Sequence, residues 1–330
     1  MDQYPVFALE SLGNTFFELS NEDRLRILYV MDKKAANLTG LSKELDLSIQ
    51  ECGRHLSRLV RTKLAEKDAQ GFYHLTLYGK TTLKQLDGLR YTSQNREYFV
   101  SHSIVDLPTE FVARIGDLVD SQYVGSVMAA FYNVDRVFSE AEEFICVITD
   151  QYHDGWYPLT TKALERGVRV RHIETKYWVV PPIIKRGYRT EDLEAADRAR
   201  IKGLLEERVL DELKVCMYTS EKEIGAVAFP MLDSRFDYLG FTAKDERAHK
   251  WCQDLFQYYW ERAHNRTKLA EELFNWVTQR PKATHAFRKI AAGESIEEGE
   301  EFISQFEGLG LLKQGQLTKL GDIVYTRLMR

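Results

Sequence analysis

No stretch of this chain approaches the roughly 18 uninterrupted apolar residues that a membrane span requires. Its N-terminus, MDQYPVFALESLGNTFFELS, has neither the basic start nor the long apolar run of a secretory leader, so a cytoplasmic location is expected. Cysteine is scarce: Cys52, Cys146, Cys216 and Cys252 stand singly, and without a CxxC pair they suggest neither a zinc site nor a disulfide framework. Most are expected to be small buried hydrophobes in a reducing compartment. An overall excess of positive charge is also lacking. The net charge is -5, distributed as +2 over residues 1–96, -8 over 97–265 and +1 over 266–330. Only the two ends could meet a polyanion, and only through local patches. What remains is an ordinary globular composition, 44% hydrophobic and 29% charged, in 330 residues, enough for about two or three domains.

The N-terminal part reads as a series of short helices. In NEDRLRILYVM, residues 21–31, Asn21 is a candidate cap and Leu25, Ile27, Leu28 and Met31 form an apolar face. A second helix is predicted from about Thr39 to Leu45. Ser48 and Glu51 then make a capping-box pattern for a third. That helix, within LSIQECGRHLSRLVRTKL (47–64), is predicted to turn Ile49, Cys52, Leu56, Leu59 and Val60 inward. Gln50, Arg54, Ser57, Arg58 and Arg61 then share its outer face, because residues three and four apart are neighbours on a helix. Two helices joined by a tight turn, the second offering Arg and Gln, suit a major groove: Arg pairs bidentately with guanine, Gln with adenine. LAEKDAQGFYHLTLYGK (64–80) alternates as two strands about Asp68–Gly71, with Leu75 and Leu77 predicted to face the core. Lys43 precedes the turn, and Lys67, Tyr73 and His74 on the hairpin could touch a sugar-phosphate backbone. A merely solvated charged face is the alternative reading.

Over about residues 15–90 this order of elements resembles winged helix-turn-helix domains of the arsenical-resistance-repressor type, the closest match being LSKELDLSIQECGRHLSRLVRTKLAEKD. The resemblance implies that helix 48–63 is a recognition helix and that Gln50, Arg54, Ser57 and Arg58 face the groove. Glu51 is expected to serve as a cap, since it would repel phosphate.

The far end repeats part of the pattern: LTLYGKTTLKQL (75–86) has a counterpart in LTKLGDIVYTRL (317–328). Helices are predicted at 267–279, about 283–290 and 295–307, with a turn at Gly293, then a short wing and a final helix. Glu297, Glu298, Glu300 and Glu301 occupy the positions where the first copy is polar and basic. Neutralising phosphates supplies most non-specific affinity for DNA, so this copy is expected to mediate dimerisation or a protein contact, or simply to cap the middle domain.

Between the two ends, EFICVIT and VRVRHIE flank the helical PLTTKALERG, a βαβ unit, and LKVCMYT, EIGAVAFP and FDYLGFT add strands before the amphipathic helix HKWCQDLFQYYWERA. Asp150, Tyr152, His153 and Trp156 follow one strand end, and His172 and Glu174 close the next, a candidate small-molecule effector pocket. The same residues show no recognisable metal spacing. ITDQYHDGWYPLTTKALERGVRVRHIE resembles the half-unit of phospholipase-D-like folds in archaeal regulators, and SHSIVDLPTEFVARIGDL (101–118) resembles the start of the middle domain of archaeal methanogenesis-type regulators. Together these cover most of residues 98–263 and imply a sensor or dimerisation module. The phospholipase-D pattern His-x-Lys is missing, because Asp154-Gly155 follows His153 and Ile173-Glu174 follows His172.

The expected protein is therefore an α+β multidomain regulator. Residues 1–95 form a winged helix-turn-helix on double-stranded DNA. Residues 96–265 form an α/β sensor or dimerisation domain with a mixed sheet, and 266–330 a degenerate winged helix. A homodimer associated with the nucleoid is expected, with a small effector possible, no membrane partner, no cofactor and no enzymatic activity. Rival readings are a protein-interaction adaptor of a transcription or chromatin assembly, and an enzyme with a phospholipase-D-like middle domain.

Overall fold

A computed structural model describes residues 6–150, 155–181, 189–294 and 299–329. The fold is mixed α+β, and the chain divides into two compact units, residues 1–90 and 91–330.

The first unit opens with α1 (Val6–Leu19) and α2 (Glu22–Lys33), the latter capped by Asn21, whose side chain accepts from the Arg24 amide. β1 (Ala36–Asn37), α3 (Leu38–Leu45) and α4 (Ile49–Arg61) follow, then the hairpin β2 (Ala65–Lys67) and β3 (Phe72–Leu75), and α5 (Leu77–Gln94). The strands form one sheet in the order β1-β3-β2. Its core gathers Ile27, Leu28 and Met31 of α2, Leu41 and Leu45 of α3, and Cys52, Leu56 and Leu59 of α4. Leu75 is buried in it, whereas Leu77, predicted to face inward, is 84% exposed. The strand ends at Leu75 and Thr76 caps α5, so the alternation that placed Leu77 does not reach it.

The second unit is built on an eight-stranded mixed sheet. α6 (Arg96–Phe99), α7 (Thr109–Ala113), a 3-10 turn (Ile115–Leu118), β4 (Gln122–Val124) and α8 (Val127–Glu140) lead into β5 (Phe144–Thr149), α9 (Trp156–Glu165) and β6 (Arg169–Thr175). Then come α10 (Thr190–Ile201), β7 (Leu205–Leu210), β8 (Cys216–Ser220), β9 (Ile224–Ala228), β10 (Gly240–Ala243), α11 (Glu246–Arg262) and β11 (His264–Asn265). The sheet order is β11-β7-β6-β5-β8-β9-β10-β4, with β5, β6 and β7 parallel and the other pairs antiparallel. Tyr218 and Trp251 belong to its continuous core. Four helices complete the unit: α12 (Arg266–Thr278), α13 (Pro281–Ala291), α14 (Gly299–Gly308) and, after the hairpin β12 (Leu312–Lys313) and β13 (Gln316–Leu317), α15 (Lys319–Leu328). They enclose a separate cluster of Ala270, Leu273, Val277, Phe287, Phe306 and Val324. Among the described residues, no helix is long and apolar enough to cross a membrane.

Candidate functional site

The outer face of α4 is set by its two ends. α3 stops where Asp46 turns left-handed (φ 56°), and the Leu47 amide closes the turn on the Ser42 carbonyl. Ser48 then caps α4: its hydroxyl accepts from the Glu51 amide at 3.2 Å while the Glu51 carboxylate accepts from the Ser48 amide at 3.2 Å. The Ser48 hydroxyl, which donates to the Glu51 carboxylate at 2.6 Å, and the Ser48 amide together hold that carboxyl below the usual carboxylate range, fixing it as a cap. Cys52, Leu56 and Leu59 point into the core, and Gln50, Arg54, Ser57 and Arg61 stand exposed. Two residues predicted inward are displaced to the rim: Ile49 is 56% and Val60 36% exposed, because the buried stripe is narrower than the apolar pattern.

Arg58 corrects the sequence reading more sharply. Its guanidinium forks onto the buried Glu18 carboxylate of α1, Nε and Nη2 donating at 2.9 and 2.6 Å, and lies 5.3 Å from the Phe17 ring centroid. The bond from Arg58 draws the Glu18 carboxyl down despite burial, with Arg24 adding to it. Arg58 thus joins α4 to α1, and its bidentate valence is already used. The partner lies forty positions away in sequence, so no local spacing could announce the pair. Ser57 donates back to the Gly53 carbonyl at 2.8 Å. On the hairpin, His74 faces Glu66 across the strands at 3.1 Å, which also occupies it, and the Lys67 ammonium lies 5.3 Å from the Tyr73 ring centroid. Lys43 is exposed in the last turn of α3. Arg54, Arg61, Gln50, Lys43 and Lys67 are thus exposed on this surface, beside the exposed Ser57, Glu51 and Glu66.

Of the candidate effector residues, the structure brings Trp156, His172 and Glu174 together in the core, the Trp156 and His172 ring centroids 5.1 Å apart and His172 4.0 Å from Glu174. Tyr152 and His153 lie outside the described residues. Trp156 is buried with its ring edge toward Phe138 and near the rings of His172 and Tyr218. His172 and Glu174 are each only 2% exposed. Glu174 accepts from Arg266 at 3.0 Å and from Lys319 at 2.9 Å, while Arg266 also reaches Glu207, which Arg200 meets at 2.6 Å. Although burial alone would push the Glu174 carboxyl up, Lys319 and Arg266 hold it well below the usual range. Burial lowers the His172 imidazole to about 4. These groups fasten α12 and the start of α15 to the sheet instead of lining a ligand pocket.

A cavity of about 430 Å3 does open nearby, off the C-terminal ends of β5, β6 and β7, and Asp150 lines it. Thr175, Tyr177 and Asp211 continue the sheet side, and Leu312, Lys313 and Gln314 of the β12–β13 hairpin close the other. Ser234 and Gln314 on its wall are non-glycine residues with positive φ, 65° and 51°. Sequence reasoning placed only Asp150 of this wall, because the other lining residues come from separate loops and, for three of the thirteen, from a hairpin more than a hundred residues beyond the strands. No group of three or more His, Cys, Asp and Glu side chains among the described residues is placed to hold a metal ion.

No protein-family model matches the chain, and no curated protein matches it. Solved structures similar to it include TrmBL2, an archaeal chromatin protein described as showing a novel mode of DNA binding, at 17% identity and TM-score 0.35, over 74% of this chain and 94% of that one. Reduced HlyU from Vibrio cholerae N16961 is 29% identical over 25% of this chain and 90% of its own, with a TM-score of 0.23. An O-methyltransferase family protein from Burkholderia thailandensis is 10% identical over 63% of this chain and 65% of its own, with a TM-score of 0.24. The methyltransferases SibL and NcsB1, and PigF with SAH, are similar too. Their presence corrects the expectation that the chain is no enzyme, and that exclusion is withdrawn.

Proposed function

We propose that the chain is a sequence-specific DNA-binding regulator whose first 95 residues form a winged helix-turn-helix, with α4 entering the major groove. The observation that carries this reading is the asymmetry of α4: Cys52, Leu56 and Leu59 fully buried on one side, and Gln50, Arg54, Ser57 and Arg61 exposed on the other. The three-stranded β1-β3-β2 sheet supports it by holding the hairpin beside that helix, with Lys67 available to a phosphate. Residues 96–265 serve as dimerisation and effector domain, with the cavity at the strand ends as the effector site. Residues 266–330 form a second winged helix that does not read DNA. Bound as a two-fold homodimer on paired half-sites, the protein would associate with the nucleoid.

The test is binding of the full chain to random and genomic duplexes over a series of salt concentrations, beside an Arg54→Ala, Arg61→Ala variant. A selected site whose affinity falls about tenfold or more in the variant, with a salt slope shallower by about two, supports the reading. Equal affinity of both proteins for all duplexes would sink it. In that event the same arginines on an exposed helix would favour the adaptor, whose protein partners would carry acidic surfaces.

A further inference from the structure

The eight-stranded sheet of the second unit has two edges, and the chain guards only one of them. At the β11 edge the exposed Arg262 and His264 stand at a strand of only two residues, and a short, charged edge discourages pairing with another chain. The other edge is β4, whose strand partner among the described residues is β10 alone. β4 lies in SQYVGSVMAAFYNV (121–134), the longest stretch of the sequence without Asp, Glu, Lys or Arg, in a region whose net charge is -8. That stretch also lacks a proline that would interrupt a ladder. Much of it stands in solvent: Gln122, Tyr123 and Val127 are exposed, Met128 is 76% and Tyr132 67% exposed. α8 begins three residues after β4 and packs against it, so its apolar side chains continue the edge.

We propose that this edge joins two copies of the chain, β4 pairing antiparallel with the β4 of a second copy across a two-fold axis, so that the two sheets become one. The inference deepens the dimerisation role proposed for residues 96–265 and rests on it. An antiparallel ladder suits a two-fold axis, because each strand offers the other the same donors and acceptors in reverse order. The same axis sets side chains beside their own copies, where any charge would meet a like charge. A surface without charge is therefore the one that fits itself. A charged peptide or a nucleic acid would find no opposite charge here, and two acidic regions could approach each other only where their charge is absent. The short ladder sets the register, and Tyr123, Val127, Met128 and Tyr132 supply the apolar area that three residues of backbone pairing cannot.

Sedimentation equilibrium of the full chain without DNA, over a series of concentrations, tests this with two double variants at exposed positions, Gln122→Lys, Met128→Lys and Gln122→Glu, Met128→Glu. The wild type is expected to be a dimer. Each variant alone is expected to dissociate about tenfold or more readily, because like charges meet across the axis, and an equimolar mixture to recover the dimer with one chain of each kind. Recovery in the mixture cannot come from a misfolded chain. A monomeric wild type would overturn the proposal and leave the edge to a different, uncharged protein. Dimers that tolerate both variants, or a mixture no tighter than the separate variants, would overturn it by placing the interface elsewhere. Duplex binding by the same preparations separates this inference from the regulator reading. A dimer joined at β4 in a chain that selects no DNA site would keep the interface and sink the regulator, whereas site selection by a chain whose dimer ignores the β4 charges would do the reverse.

Discussion

The same local device closes two hairpins in this chain, one in each unit. In the first, the Leu64 amide donates to the Leu59 carbonyl at 3.0 Å, the Thr76 amide to Leu64 at 3.2 Å, and the Thr76 hydroxyl to Lys63 at 2.6 Å. In the second, the Leu311 amide donates to Phe306 at 2.8 Å, the Thr318 amide to Leu311 at 3.1 Å, and the Thr318 hydroxyl to Gly310 at 2.6 Å. Each threonine also caps the next helix, accepting from Gly79 at 2.9 Å and from Gly321 at 3.0 Å. The residue before each leucine is left-handed, Lys63 at φ 62° and Gly310 at φ 76°. Backbone chemistry is shared, but surfaces are not. α4 shows Arg54 and Arg61, whereas α14 shows Glu301, Ser304 and Gln305. Each unit also holds a buried carboxylate between two cations, Glu18 with Arg24 and Arg58 in the first and Glu174 with Arg266 and Lys319 in the second. One architecture thus serves two ends because the hydrogen bonds of the corner do not depend on the side chains the helix exposes.

The largest expected effect breaks the comparison at the second of these buried attachments. Glu174→Gln leaves Arg266 and Lys319 facing a neutral amide, and removing one partner of a buried ion pair costs about 3–5 kcal/mol. All five tryptophans lie beyond residue 90, so urea unfolding followed by tryptophan fluorescence reads the second unit. Hydrogen exchange on peptides from residues 1–90 is expected to stay unchanged. A loss below about 1 kcal/mol would mean that the attachment is held by apolar packing alone.

Acid should act on the same place. The His172 imidazole titrates near 4 when folded and near 6.5 when unfolded, so between those values the unfolded chain binds more protons. Stability of the second unit is therefore complete above about pH 6.5 and falls by roughly 3 kcal/mol as the pH drops toward 4. Glu174, whose folded carboxyl is also drawn down, continues the loss below its unfolded value. A pH series of urea midpoints checks the slope, which His172→Asn should flatten above pH 4.5. An unchanged slope would assign the acid sensitivity to the carboxylates.

Matched substitutions sharpen the comparison. A Cβ on Gly79 would stand 2.0 Å from the Leu64 carbonyl oxygen, and one on Gly321 would stand 2.1 Å from that of Leu311. Neither backbone can yield without opening its hairpin, so Gly79→Ala and Gly321→Ala should each cost about 3 kcal/mol, the first in unit 1 and the second in unit 2. Hydrogen exchange across both units would locate the losses. A silent Gly321→Ala would show that the second corner is loose.

Much of this was legible from short-range chemistry. Ser48 with Glu51, the Asn21 cap and the LTxxG motif shared by both ends each act within four residues, so their spacing carries their geometry. Arg58 with Glu18 and Glu174 with Lys319 act across 40 and 145 positions, where spacing carries nothing. Arg58 consequently looked like a groove contact and Glu174 like a ligand contact. β7, with Glu206, Glu207 and Arg208 in its middle, shows no apolar alternation because two of those side chains meet Arg171 and Arg266 across the fold. The exposed arginines of α4 were legible because a helix face follows from periodicity alone.

The smallest expected effect separates the two corners by burial. Thr76→Val and Thr318→Val each remove one hydroxyl that both donates to a carbonyl and accepts from a helix N-terminal amide, a capping loss of about 1 kcal/mol. Thr76 is half-buried, so water can reach the groups it leaves behind. Thr318 is fully buried, and the Gly310 carbonyl and Gly321 amide would lose their partner away from solvent. That adds desolvation to the lost cap and raises the cost to about 2–3 kcal/mol. Urea midpoints of the two variants, each read in its own unit, give the difference. Equal costs would mean that water enters the second corner when its hydroxyl is gone, and the buried charges beside it, not the corner, would then set the stability of that end.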